Sequence, residues 1–222
     1  VAEFVSFEVE FSGDPNVSAS MLGWNFQWEL SFLSIVADTP VFWPFGSNCS
    51  LNDDQDRSFN LANGFGIGTG LRSPETIEPS KLAYFRSHRE QFIELIGNNS
   101  FSTAVSIASI HSSTPNPSLA MTMVWSGIEG ILGFDHELRF RIALALAHIL
   151  THEDEDRISS MKQYAKLYDD RSKCVHGAKK PKNLTDSLSE SKRILRALIL
   201  IVVERGRPFE REDWEKLFLG KE

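Results

Sequence analysis

The chain of 222 residues reads as an α+β protein, with a β-rich region over residues 1–78 and an all-α helical bundle over 79–222. Three observations predict this. In two early segments apolar and polar residues alternate with the period of a half-buried strand. Clusters of glycine, proline and asparagine punctuate that region as turns do. Beyond Pro79 the apolar residues recur at three- and four-residue intervals, the spacing of one helix face, and capping and stop residues bracket each run.

Val5, Phe7, Val9 and Phe11 alternate with Ser6, Glu8 and Glu10, giving a first strand, and Gly13-Asp14-Pro15-Asn16 follows as a turn. The run Trp24-Asn25-Phe26-Gln27-Trp28-Glu29-Leu30-Ser31-Phe32 alternates again and predicts a second, longer strand. Val41 to Phe45 gives a third, confined to a sheet edge because proline donates no ladder hydrogen bond. Glycines at 64, 66, 68 and 70 invite a phosphate-loop reading. No Gly-Lys-Ser/Thr follows and no βαβ unit surrounds them, so a flexible loop is expected.

The helices follow in order. Ser80 caps one running to about Ile96, stopped by Gly97-Asn98-Asn99. Phe101 to Ile110 forms the next, broken at Pro115-Asn116-Pro117. Ser118 opens an apolar helix through Met121, Val124, Trp125, Ile128 and Leu132 that ends at Gly133. Asp135 caps another, with Leu138, Ile142, Ala145, Leu146 and Ile149 on one stripe. Asp156 caps a helix through Ile158, Met161, Ala165, Tyr168 and Val175, closed by Gly177. Thr185 or Ser187 opens the last long helix, to about Glu204, and Trp214 to Leu219 forms a terminal turn. There is no internal repeat.

Composition excludes some classes. No run of 18 apolar residues occurs; the longest aliphatic block, Ile194 to Val203, is interrupted by Arg196, so no membrane span is expected. From Val1 on no signal peptide is visible, whether absent or already removed, and the missing initiator methionine reads as a sign of a fragment. Cys49 and Cys174 form no CxxC pair and point to a reducing compartment, most simply the cytoplasm. The sequons at Asn16, Asn48 and Asn98 read as chance. His148 and His152 have ligand spacing on a helix, but the zinc-protease pattern needs glutamate where Ile149 stands. Neither a metal nor a cofactor is expected.

A net charge of −7 argues against a dedicated nucleic-acid coat protein. The charge is uneven, however. Arg171, Lys173, Lys179, Lys180 and Lys182 form a strip without an acidic residue, just downstream of Glu153-Asp154-Glu155-Asp156. Such a strip fits either a solvated loop or an RNA-holding cleft, with Lys179, Lys180 and Lys182 as its contacts.

Chemistry concentrates in Tyr168-Asp169-Asp170-Arg171-Ser172-Lys173-Cys174-Val175-His176-Gly177. Arginine is a permanent cation matched to phosphate, and histidine titrates near neutrality. Five residues on one helix separate Arg171 and His176 by about 140° around its axis, so they flank the apolar stripe instead of converging. Two copies meeting across a twofold axis, each arginine approaching the partner's histidine, would bring them together. Glu129 lies mid-helix among apolar residues and needs a partner, with Arg171, Arg139 and Arg141 as candidates. That pair would either hold helices together or orient Arg171. Cys174 is flanked by basic residues, but no third group orients a Cys–His nucleophile.

Three pieces in order carry a resemblance: Trp125-Ser126-Gly127-Ile128-Glu129-Gly130-Ile131-Leu132-Gly133, then Leu138-Arg139-Phe140-Arg141-Ile142-Ala143, then Leu167-Tyr168-Asp169-Asp170-Arg171-Ser172-Lys173-Cys174-Val175-His176-Gly177. Together, over residues 80–205, they resemble the HEPN superfamily and its ApeA-like branch. The resemblance implies a HEPN-like bundle that cleaves RNA without metal as a toxin or antiviral defence effector, working as a homodimer with a composite site. It makes Arg171 and His176 the catalytic pair and Glu129, Ser172 and Lys173 accessory residues. Ser172 departs from the Asn, Asp or His that often follows the arginine elsewhere in the superfamily, but suits this branch. The β-rich region would then sense a trigger or recruit a partner, as a complete unit or as part of a larger sensor. A catalytically silent module binding RNA, nucleotide or a partner protein is the other reading, and a purely structural dimerisation module a third.

Overall fold

The computed structural model describes residues 19–39, 41, 45–47, 59–61, 76–110, 114–151, 156–177 and 181–220. Among them the chain is helical: α1 (Ala19–Ala37), α2 (Pro79–Leu95), α3 (Asn99–Ile110), α4 (Pro117–Leu132), α5 (Leu138–Leu150), α6 (Arg157–His176), α7 (Leu184–Arg205) and α8 (Arg211–Leu219). The only strands among the described residues are β1 (Phe45–Ser47) and β2 (Phe59–Leu61), paired antiparallel. No helix among them is long and apolar enough to cross a membrane.

This corrects the α+β expectation. The segment expected as the second strand, Trp24 to Phe32, lies inside α1. Its period-two alternation is also compatible with helical spacing, since Trp28 and Phe32 stand four apart and Ile35 and Val36 continue the face. Phe32, Ile35 and Val36 are buried in the same core as the later helices, and that burial decides between the two readings. Phe32 stacks on Phe92 of α2 at 4.4 Å. Glu29 accepts two bonds from Arg89, at 2.7 and 2.6 Å. Of the short edge strand expected over 41–45, residues 42–44 lie outside the described residues, and β1 begins at Phe45. The first strand, from Val5, and the glycine loop over 64–70 lie outside the described residues.

The centre of the bundle is α4, which packs on α3, α6 and α7. Met121, Val124, Trp125, Ile128 and Leu132 are fully inaccessible, each burial of this kind stabilising by roughly 1.5–3 kcal/mol. Gly127 lets α7 come close: a Cβ there would sit 3.1 Å from the Leu195 side chain. Asn116 caps α4, accepting from Ser118 N and Leu119 N with Pro117 in the first turn, so the cap lies two residues before the expected serine.

The expected limits of α6 match the structure. Asp156 accepts from Ile158 N, and Gly177 closes the helix with φ of 67°. At α5 the cap is Glu137, in left-handed conformation (φ 50°), and its carbonyl receives Phe140 N and Arg141 N. Asp135 lies against His136 instead. The last long helix opens at Leu184, ahead of the expected Thr185 or Ser187. The terminal turn is a helix from Arg211, started by a reciprocal Glu210–Asp213 capping box.

Candidate active site

Helices α4 and α6 meet side by side, and their facing positions build the site. Trp125 and Glu129 stand one turn apart on α4; Tyr168 and Arg171 stand three apart on α6, so each pair shares a helix face. The Trp125 and Tyr168 rings meet edge to face at 5.4 Å. The Arg171 guanidinium lies over the Tyr168 ring, 5.5 Å from its centroid, where a cation is attracted to the ring face. Arg171 Nη2 donates to Glu129 Oε2 at 3.1 Å. Of the three candidate partners for Glu129, the structure selects Arg171. Arg139 binds Asp169 with two bonds at 2.7 and 2.9 Å, and Arg141 lies 3.5 Å from Glu137.

The pair is half-sheltered, with 20% of the Arg171 side chain and 19% of Glu129 exposed. Its bonding is incomplete, because Glu129 Oε1 and Arg171 Nε are buried with no hydrogen-bond partner. Burial raises the Glu129 carboxyl above its ordinary range and Arg171 offsets only part of that. Burial and then Glu129 raise the Tyr168 phenol, against Arg171.

Beside this pair runs a fully bonded polar chain. Trp125 Nε1 donates to Ser191 Oγ at 2.9 Å, and Ser191 donates to the Ser187 carbonyl at 2.7 Å. Ser187 Oγ donates to Asp170 Oδ2 at 2.9 Å, and Lys173 Nζ donates to Asp170 Oδ1 at 2.8 Å. Asp170 is buried. The chain ties α4, α6 and α7 together next to Arg171.

His176, the last residue of α6, is exposed. It stands about 7.5 Å further along the axis than Arg171 and about 140° around it, so a single chain does not converge the two. Ser172 is half-buried, and its hydroxyl makes no hydrogen bond among the described residues. Lys173, expected as an accessory cation, is tied to Asp170, which raises its ammonium. Lys182 is exposed in the turn before α7; Lys179 and Lys180 lie outside the described residues, as do Cys49 and His152. Cys174 is half-buried against the core. The His148 ring packs edge-on against Phe218, and burial lowers its imidazole. Among the described residues no three His, Cys, Asp or Glu side chains gather as metal ligands would.

Sequence reasoning placed Tyr168 and Val175 on the apolar stripe of α6. Val175 and Ile158 are in fact exposed, whereas Asp170 is buried. Tyr168 packs against the core as expected, and its ring also supports the Arg171 guanidinium, a role the sequence reading did not assign. A signal for the polar chain existed: a tryptophan inside an apolar helix needs an acceptor for its N–H. Compared with family models, with curated proteins and with solved structures, the chain has no match.

Proposed function

We propose that the chain is a metal-independent endoribonuclease of the HEPN type, a toxin or defence effector that acts as a homodimer. The observation that supports this best is a partly exposed arginine held by a carboxylate, on the same helix as an exposed terminal histidine. RNA carries its own nucleophile. The 2′-hydroxyl attacks the adjacent phosphorus, a 2′,3′-cyclic phosphate forms, and the 5′-oxygen leaves. Neutral His176 accepts the 2′-hydroxyl proton, or its protonated form gives one to the departing 5′-oxygen. Arg171 neutralises the non-bridging oxygens as charge builds, through paired N–H donors. Because the two side chains leave one helix in different directions, the reading requires two copies, the arginine of one meeting the histidine of the other.

The test is cleavage of RNA with EDTA present. The wild-type chain leaves a cyclic phosphate end and spares DNA. Arg171→Ala and His176→Ala both stay folded and inactive. The second reading, a silent module that binds RNA, nucleotide or a partner protein, is favoured by the net charge of −7 and by the engagement of Lys173 with Asp170. A wild-type chain inert on several RNAs would select it.

A further inference from the structure

We propose that Glu129 is the positioning residue of this site, holding Arg171 in the orientation in which its guanidinium meets phosphate. This deepens the endoribonuclease reading and rests on it for the cleavage arm of the test. An arginine side chain has four rotatable bonds and would sample many orientations if left to solvent. Here it is fixed from two directions. Glu129 Oε2 takes Nη2 at 3.1 Å, and the Tyr168 ring supports the guanidinium face at 5.5 Å. Tyr168 is held in turn by the edge of Trp125, whose indole is anchored on Ser191. A single bond to the carboxylate leaves the guanidinium fork with further N–H donors for non-bridging phosphate oxygens.

The incomplete bonding separates this role from that of a purely structural clasp. Two helices joined for stability alone are served best by a pair whose buried atoms are all bonded. In this pair one carboxylate oxygen and the arginine Nε are buried and unbonded, while the neighbouring Asp170 has bonds to both its oxygens. The imperfect geometry sits at the one arginine that the mechanism requires.

The experiment uses the full chain with Glu129→Ala and Glu129→Gln. In NMR of the free wild-type chain, the Arg171 guanidinium rotates slowly and its Nε–H exchanges slowly; Glu129→Ala frees both. On RNA with EDTA present, Glu129→Ala lowers kcat about 100-fold, the cost of a misplaced catalytic group. KM stays within about 3-fold, and Glu129→Gln, which keeps an acceptor oxygen, recovers part of the loss. A freely rotating Arg171 in the wild type overturns the proposal whatever the cleavage result. So does an unchanged kcat in a variant whose Arg171 has been freed. A wild type that cuts no RNA sinks the endoribonuclease reading by itself. Glu129 is then judged by RNA affinity: Glu129→Ala weakens it by about 3-fold or more if positioning holds, and an unchanged affinity overturns it. Should Glu129→Ala not fold, Glu129→Gln carries both arms.

Discussion

Two polar clusters sit next to each other where α4 meets α6, and they are finished to different standards. In one, Trp125, Ser191, Ser187, Asp170 and Lys173 form an unbroken series of hydrogen bonds from α4 through α7 to α6. In the other, Glu129 and Arg171 share one bond and leave two buried atoms unbonded. A fully bonded buried network rigidifies a core and fixes a single arrangement of its helices. A partly bonded pair lowers stability and is retained where something else depends on it. The first cluster specifies the bundle, and the second is where chemistry is to be sought.

Substitutions can break this contrast. The largest expected effect comes from replacing the incomplete pair by apolar residues, Glu129→Leu with Arg171→Met. Cleavage falls by about 1000-fold, as for loss of a transition-state donor. Stability stays level or rises by about 1–4 kcal/mol, as for other buried ion pairs so replaced. Rates measured beside urea unfolding of the double variant check both halves; a clear loss of stability would show that the pair is structural after all. Next comes Asp170→Ala, which strands the buried Ser187 hydroxyl and should cost about 3 kcal/mol in the same unfolding experiment. Ser191→Ala removes the acceptor of the buried Trp125 N–H and should cost about 1–2 kcal/mol, visible also as a shifted Trp fluorescence transition.

The smallest effect is in pH. Burial raises the folded-state Glu129 carboxyl above its unfolded value. The group therefore contributes stability below the ordinary glutamate range and loses that contribution as pH rises through its raised value. Glu129→Gln does not titrate, so the wild type should lose stability relative to it as pH climbs upward from about 4.3. Asp169 behaves oppositely. Its bonds to Arg139 hold it low, so its contribution is present above the ordinary aspartate range and fades as pH falls. Unfolding free energies of the wild type, Glu129→Gln and Asp169→Asn across roughly pH 3–7, on either side of the ordinary carboxylate values, separate the two slopes.

What the sequence disclosed and what it hid follow from the range of the interactions. Helix α6 was legible from Asp156 to Gly177 because cap, periodicity and stop all lie within the segment itself. Trp24 to Phe32 misled because nine residues satisfy both a two-residue and a four-residue period, and the tie is broken only by burial against α2. Glu129 was legible as a carboxylate in need of a cation. Which cation required the packing of α4 on α6. The burial of Asp170 was hidden because its partner, Ser187, stands on another helix, seventeen residues on.

Arg196 has a consequence for how firmly α1 is closed. From α7 its Nε and Nη2 reach the carbonyls of Ile35 and Val36 at 2.6 and 2.9 Å, closing the C-terminal turn of α1. The helix also has a local stop, Asp38 at positive φ with Thr39 N–H donating to the Ser34 carbonyl, and Arg196 adds to it from 161 and 160 positions downstream. In a chain that emerges N-terminus first, the local stop forms before Arg196 arrives, and docking of α7 then tightens it. Loss of the two Arg196 bonds should therefore loosen the end of α1 without unravelling it, read as faster amide exchange there.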